Sequence, residues 1–204
     1  MGNRLVIVGA GGHGKVIADI ARCNGYDSIC FLDDDIQKKE CAGYEVIGTL
    51  KDATSYTDSE FIVGIGNSYI REKVQNRLVS DGLNVVSLIH PSSVIASDVH
   101  LGNGTVIMAG VIINPSTKIG AGCIINTGAK LDHDNVIADF VHIAGNSYLA
   151  GTVEVGKYTM IGAGATVSNN VSICADCMIG AGAVVVKDIA GSGTYVGVPA
   201  RKLV

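Results

Sequence analysis

The sequence predicts two folds in one chain: a small doubly wound α/β domain over residues 1–90, then a triangular parallel β-solenoid over 91–204. Three observations carry this. Strand-like and helix-like stretches alternate up to residue 90, with glycines where strands end. From residue 95 onward an aliphatic side chain recurs at every sixth position. The composition suits short strands and turns: 27 of the 204 residues are Gly, none is Trp, and aromatic residues make up 5%.

The elements follow in chain order. RLVIVGA (4–10) is a continuous apolar run ending in Gly, the pattern of a buried parallel strand. From His13 to Asn24, Val16, Ile17, Ile20 and Ala21 fall at helical spacing, and Gly25 stops the helix. SICFLDDD (28–35) reads as a second strand ending in acids, and EVIGTL (45–50) as a short edge strand or turn. EFIVGIGN (60–67) is a further buried strand with a Gly-rich end. SYIREKVQNRLVSDG (68–82) is a helix closed by Gly82, and NVVSLIH (84–90) a last strand.

The second half has one rule. Stepping by six from Ile95 gives Leu101, Ile107, Ile113, Ile119, Ile125, Leu131, Ile137, Ile143, Leu149, Val155, Ile161, Val167, Ile173, Ile179 and Val185. All are aliphatic. A period of six fits neither a helix nor an alternating strand; it fits a coil with three six-residue sides, one aliphatic per side pointing inward. The series makes a little over five coils. Small or β-branched residues lie two positions before many of these aliphatics, and Gly often follows directly, as at Gly102, Gly120, Gly156, Gly162 and Gly180. Both are expected to permit tight corners.

Composition excludes several classes of function. The net charge is −4 with no basic run, which argues against nucleic acid. No apolar stretch reaches membrane-span length and no signal peptide is read, so a cytoplasmic location with reduced thiols is expected. Of the six cysteines, Cys174 and Cys177 form a lone CxxC. With no second pair and no nearby His, it reads as packing and not as a metal site.

Two places carry chemistry. GAGGHG supplies GxGxxG at Gly9, Gly11 and Gly14, after a strand and before a helix, with Asp33 and Asp34 ending the next strand. Such a loop brings backbone N–H groups to a pyrophosphate at a helix N-terminus. A dinucleotide, a sugar nucleotide or a purely structural turn all fit the pattern. His13 lies in this loop. The second place is Asp132–His133–Asp134, a charged triplet in an otherwise uncharged stretch of the solenoid. Histidine is suited to remove a proton near neutrality, and a carboxylate beside it raises its basicity and fixes its tautomer. His142 follows half a coil later, so the two histidines should lie on opposite sides of one prism. A site using both would need neighbouring subunits. A three-histidine metal site built on His100, His133 and His142 lacks short-spaced histidine pairs.

The chain resembles the hexapeptide-repeat acyltransferases. It resembles most the nucleotide-sugar N-acetyltransferase branch, which includes bacillosamine-pathway enzymes and related sialic-acid-type O-acetyltransferases. VGAGGHGKV (8–16), FLDDD (31–35), VGIGN (63–67), IHPSSVIAS (89–97), INTGAKLDHDNVI (125–137), VHIAGN (141–146), MIGAGATV (160–167), IGAGAVVVKDI (179–189) and VGVPARKL (196–203) carry the likeness along the whole chain. The resemblance implies that the solenoid is a left-handed β-helix assembled as a homotrimer. It also implies acetyl-CoA-dependent acetylation, without a metal, of the amine of a nucleotide-linked 4-amino-4,6-dideoxy sugar. His133 is the implied base, strengthened by Asp134. Gly11, Gly12, His13, Asp33, Asp34, Gly66 and Asn126 are implied at the sugar nucleotide. His142, Gly162, Ala163, Gly180, Ala181 and Arg201 are implied at acetyl-CoA. O-acetylation of a sialic-acid-like sugar, or a non-catalytic sugar-nucleotide-binding scaffold, are the alternatives.

Overall fold

The computed structural model describes residues 4–203 and divides the chain into two compact units, Met1–Pro91 and Ser92–Val204. The first unit is a six-stranded sheet in the order β3-β4-β2-β1-β5-β6. Its strands are β1 (Arg4–Val8), β2 (Ser28–Leu32), β3 (Glu40–Cys41), β4 (Tyr44–Gly48), β5 (Glu60–Val63) and β6 (Asn84–Val85). Every pairing is parallel except β3 with β4. Helix α1 (Gly12–Cys23) follows β1 and helix α2 (Ser68–Ser80) follows β5. The continuous apolar runs are explained by burial of both faces. Val6, Val8, Phe61 and Val63 pack with Val74 and Leu78 of α2, while Leu5, Ile7 and Phe31 are fully buried in the alternate phase.

Two expectations for this unit need correction. The segment 45–50 is not an edge: Tyr44–Gly48 pairs with β2 on one side, and β3 is the edge strand. A 3-10 helix over Leu50–Tyr56 follows it, started by a capping box in which Thr49 and Asp52 bond reciprocally. That signal, Thr-x-x-Asp, was present in the sequence. The segment 84–90 is two short strands, because pairing with β5 ends once Val86 N–H has bonded the Phe61 carbonyl; Leu88–Ile89 forms a separate strand.

The second unit is a left-handed parallel β-helix. Two-residue strands stack one coil above another, as in Ile107↔Ile125↔Ile143↔Ile161↔Ile179. The aliphatic series forms three inner columns, one per face. Its members from Ile107 to Val185 are at most 3% exposed. Each such side chain contributes about 1.5–3 kcal/mol of apolar burial. A second residue per side also points inward, two positions earlier. Thr105, Thr117, Cys123, Ala129, Asn135, Ser147, Thr159 and Ala165 are all fully buried there. The polar ones bond corner backbone, as Thr105 Oγ1 does to the Gly120 carbonyl and Thr159 Oγ1 to the Cys174 carbonyl.

The corners are not at the glycines expected. Every sixth residue from Gly104 to Gly182, three after each aliphatic, has a left-handed φ between 56° and 75°. Gly, Asn and Asp favour that region, but Phe140, Thr152 and Tyr158 occupy it too. The stack enforces it: corner N–H groups donate to carbonyls of the preceding coil, as Phe140 does to Ala121 and Asn170 to Gly151. The glycines directly after the aliphatics serve another purpose. A Cβ on Gly156 would stand 2.4 Å from Ala175 N and 2.6 Å from Cys174 C, backbone of the next coil. At the C-terminal end, Gly193–Val196 adds to Cys177–Ile179 and folds back against Arg201–Lys202, closing that open edge.

Gly156→Ala is therefore expected to destabilise the β-helix by about 1–3 kcal/mol through overpacking, read as a lower denaturant midpoint.

Candidate active site

His133 sits at a corner of the β-helix, after the strand Lys130–Leu131. Asp134, the left-handed corner residue (φ 59°), folds its carboxylate back so that Oδ2 lies 2.7 Å from His133 Nδ1. A carboxylate can only accept, so Nδ1–H donates, and in the neutral ring Nε2 keeps a lone pair. The sequence left open which acid meets the ring; it is Asp134. Asp132 holds the backbone instead. Its Oδ1 accepts from His133 N–H at 2.9 Å and from Asn114 Nδ2 at 2.9 Å, and its Oδ2 accepts from Tyr148 Oη at 3.2 Å. Its carbonyl is bonded from inside the prism by Thr117 Oγ1 and by Asn135 Nδ2. The ring lies over Gly151, where an added Cβ would fall 2.6 Å from Cε1 and 2.7 Å from Nε2.

The electrostatics follow from these bonds. The hydrogen bond to Asp134 lifts His133 above the ordinary imidazole value; slight desolvation opposes this, and the charges of Asp132 and Asp134 add to it. Donation by Asn114, then by His133 N–H, holds Asp132 below the usual carboxylate range. Desolvation and the bond to Asp132 push the Tyr148 hydroxyl up. Asp132 therefore stays ionised, while His133 is a base of raised strength with one nitrogen available.

Asn114, Thr117, Asn135, Tyr148 and Gly151 were missed by the sequence reading. The period could have found some of them. One coil back from Asp132 lies Asn114, and one coil on from His133 lies Gly151.

His142 lies in the strand His142–Ile143, on a different face from the strand leading to His133. Its Nε2 is 3.2 Å from Asn126 Nδ2, so Asn126 joins His142 within the chain and not His133. Gly162 and Gly180 have packing reasons of their own: a Cβ would lie 2.5 Å from the Ile179 carbonyl oxygen and 2.8 Å from Val196 Cγ1 respectively. Ala163 and Ala181, beside them, are exposed. Arg201 shares a hollow of about 210 Å³ with Lys187, Asp188, Tyr195 and Lys202, which gathers three cations and one carboxylate in one place.

In the first unit the glycines divide by cause. Gly9 has a φ of 112°, and a Cβ on Gly14 would stand 2.1 Å from the Gly9 carbonyl oxygen, so both are required by packing. Gly11, Gly12 and Gly66 have neither a left-handed φ nor any atom within 4 Å of an added Cβ. Nothing in the chain's own packing demands glycine there, and each leaves open space over backbone. Gly11 caps α1 without a side chain, so the N–H groups of the first turn are presented directly. His13 stands in that first turn, partly buried. The acids are engaged locally. Asp33 Oδ2 accepts from Ala10 N–H at 2.7 Å and from Lys38 Nζ at 2.9 Å, and Asp34 Oδ1 accepts from Leu50 N–H at 3.0 Å. Burial disfavours the Asp33 anion, but donation from Asp35 N–H, Lys38 and Ala10 N–H outweighs it and holds the carboxyl below its usual range.

Among the described residues, one cluster has three groups of metal-ligating type, Asp19, Cys23 and His90. It lies in the first unit, largely exposed, and Asp19 is already paired with Arg22 at 2.6 Å. His100, His133 and His142 form no such cluster within the described residues of the chain. The CxxC thiols lie 3.5 Å apart; burial and the bond to Cys174 push Cys177 up to about 12, the reverse of a reactive thiolate. All six cysteines are free thiols.

Residues 4–78 match the PglD N-terminal domain family, and residues 98–133 and 152–187 match the bacterial transferase hexapeptide family of six repeats. The chain is 31% identical over 211 residues to the GDP-perosamine N-acetyltransferase of Escherichia coli O157:H7, spanning 99% of this chain and 82% of that protein. It resembles the acetyltransferase domain of PglB from Neisseria gonorrhoeae FA1090, solved with acetyl coenzyme A, at a TM-score of 0.96 and 34% identity over 100% of both chains. It also resembles a mutant of the Caulobacter crescentus perosamine N-acetyltransferase, one histidine replaced by asparagine, solved with CoA and GDP-perosamine. There the TM-score is 0.93 and the identity 37%, over 98% of this chain and 96% of that one.

On the site geometry, a nuclear magnetic resonance titration is expected to place the His133 midpoint above that of an unperturbed histidine. Asp134→Asn should bring it down, since the acceptor that favours the imidazolium becomes neutral. The paired histidine, the glycine loop and these relatives together show that the chain belongs to the hexapeptide-repeat nucleotide-sugar N-acetyltransferases.

Proposed function

We propose that the protein transfers an acetyl group from acetyl-CoA to the amine of a nucleotide-linked 4-amino-4,6-dideoxy sugar. The observation that carries this is the His133–Asp134 pair, with Nδ1 committed to the carboxylate at 2.7 Å, which leaves Nε2 to take a proton when the ring is neutral. The E. coli relative is named for GDP-perosamine, a sugar nucleotide of that kind, and supports the choice of acceptor.

The chemistry needs little more. The amine nitrogen attacks the thioester carbonyl and passes its proton to His133 Nε2. The C–N bond forms, the C–S bond breaks, and CoA leaves as a thiol after taking up a proton. Asp134 stabilises the imidazolium formed in between. We assign the developing oxyanion to backbone N–H groups and His142, and the acceptor side of that region to Asn126, which His142 touches. Gly11, Gly12, His13 and Gly66 receive the nucleotide diphosphate: the open space over these glycines is where a phosphate can approach the N–H groups opening α1. Asp33 shapes that loop through Ala10 N–H, while Asp34 supports the neighbouring turn at Leu50. Gly162, Ala163, Gly180 and Ala181 form a low wall for the pantetheine arm. Arg201 meets CoA phosphates, with Lys187 and Lys202 beside it in the same hollow.

Because His133 and His142 stand on different faces of one prism, their joint use requires copies side by side, and we propose a homotrimer. Sedimentation at micromolar concentration is expected to give three times the 21.0 kDa chain mass; a monomer that still turns over would contradict the shared site.

The assay is thiol release from acetyl-CoA with a panel of nucleotide 4-amino-6-deoxy sugars. One amine is expected to turn over, and His133→Ala to slow it by about 10²–10⁴-fold. Turnover confined to hydroxyl acceptors would reassign the reaction to O-acetylation. No turnover with any acceptor, or a mutant as fast as wild type, would sink the mechanism.

A further inference from the structure

We infer that Gly151 is a positioning residue for the base: the absence of a side chain there holds the His133 imidazole against Asp134. The inference rests on the proposed role of His133 and adds a residue that role did not include. Gly151 lies directly over His133 on the next coil and is buried. A Cβ at Gly151 would stand 2.6 Å from Cε1, 2.7 Å from Nε2 and 3.2 Å from Nδ1, so it meets the ring along its whole edge. Non-bonded carbon atoms rest at about 3.5–4.0 Å, and the ring would have to leave.

The usual reasons for glycine are absent. Its φ is not left-handed, unlike that of Thr152, which turns this corner. Its nearest contacts for a Cβ are all atoms of the His133 side chain, with no backbone among them. Gly156 differs, since there a Cβ runs into the backbone of the next coil. The fold can thus accept alanine at 151 by letting an imidazole that is 58% exposed swing into solvent. The swing breaks the 2.7 Å bond to Asp134 and takes Nε2 from its place. The cost falls on catalysis, where displacement by about 1 Å can remove 10²-fold, and not on folding.

The test compares Gly151→Ala, His133→Ala and the double variant in the acetyl-transfer assay, with thermal melting of each. The expected result is a kcat about 10²-fold lower for Gly151→Ala. The KM for the acceptor and the melting temperature should stay close to wild type, and the acid limb of the pH–rate profile should move to lower pH as the ring loses Asp134. Adding Gly151→Ala to His133→Ala should cause no further loss. Wild-type turnover by Gly151→Ala would overturn the inference. So would the same fractional loss in the His133→Ala background, or a loss that only tracks unfolding. A His133→Ala enzyme as fast as wild type would instead remove the underlying assignment of the base.

Discussion

The structure of the second unit depends on one repeated hydrogen bond, from the N–H of a left-handed corner residue to a carbonyl on the preceding coil. It carries the ladder around corners that two-residue strands alone would leave unpaired. The bond fixes the coil at three hexapeptides, and the fixed coil brings the aliphatic columns into register. It also explains why Phe140, Thr152 and Tyr158 tolerate a φ near 60°. A backbone conformation costing about 1–2 kcal/mol in isolation is set by neighbours above and below.

The reactive histidine is built from the same parts. Asp134 is a corner residue, and its N–H makes the standard bond, to the Pro115 carbonyl. The left-handed turn that every coil needs here aims a carboxylate at the ring of the residue before it. Thr117 and Asn135, members of the inward-facing set that staples other corners, hold the Asp132 carbonyl from inside. Asn114 and Tyr148 hold its carboxylate from outside. A side chain that is more than half exposed is thus placed on a corner fixed from both sides. Rigid support of this kind lets a base act without reorganising at the moment of reaction.

Much of this was legible in the sequence, and the failures have physical causes. The aliphatic period of six reported the coil because burial selects one chemical type at one spacing. The corners were misplaced because glycine marks two different needs. At Gly156 it avoids the next coil; at Gly164 it supplies a left-handed φ. Neighbouring corners meet the second need with Asn or Asp, which also favour that region, or with Phe, Thr or Tyr, which sequence alone does not flag. The choice between Asp132 and Asp134 depended on a backbone angle, not on residue type. The resemblance implied Gly11, Gly12 and Gly66 at the sugar nucleotide; that nothing in the chain's own packing asks for glycine there became visible only in three dimensions. Asp33 and Asp34 fit a ribose-binding pattern by position, and the structure adds the local bonds each makes, Asp33 to Ala10 N–H and Asp34 to Leu50 N–H.

The central claim is that His133, tuned by Asp134, takes the proton of the attacking amine. The pH dependence of kcat/KM for acetyl transfer, in wild type and Asp134→Asn, tests it most directly. A base held above the ordinary imidazole value is neutral only above that raised value, so the wild-type rate should climb with pH through it. In Asp134→Asn the climb should move to lower pH and reach a lower plateau. An unshifted limb, or one that survives in His133→Ala, would contradict the account.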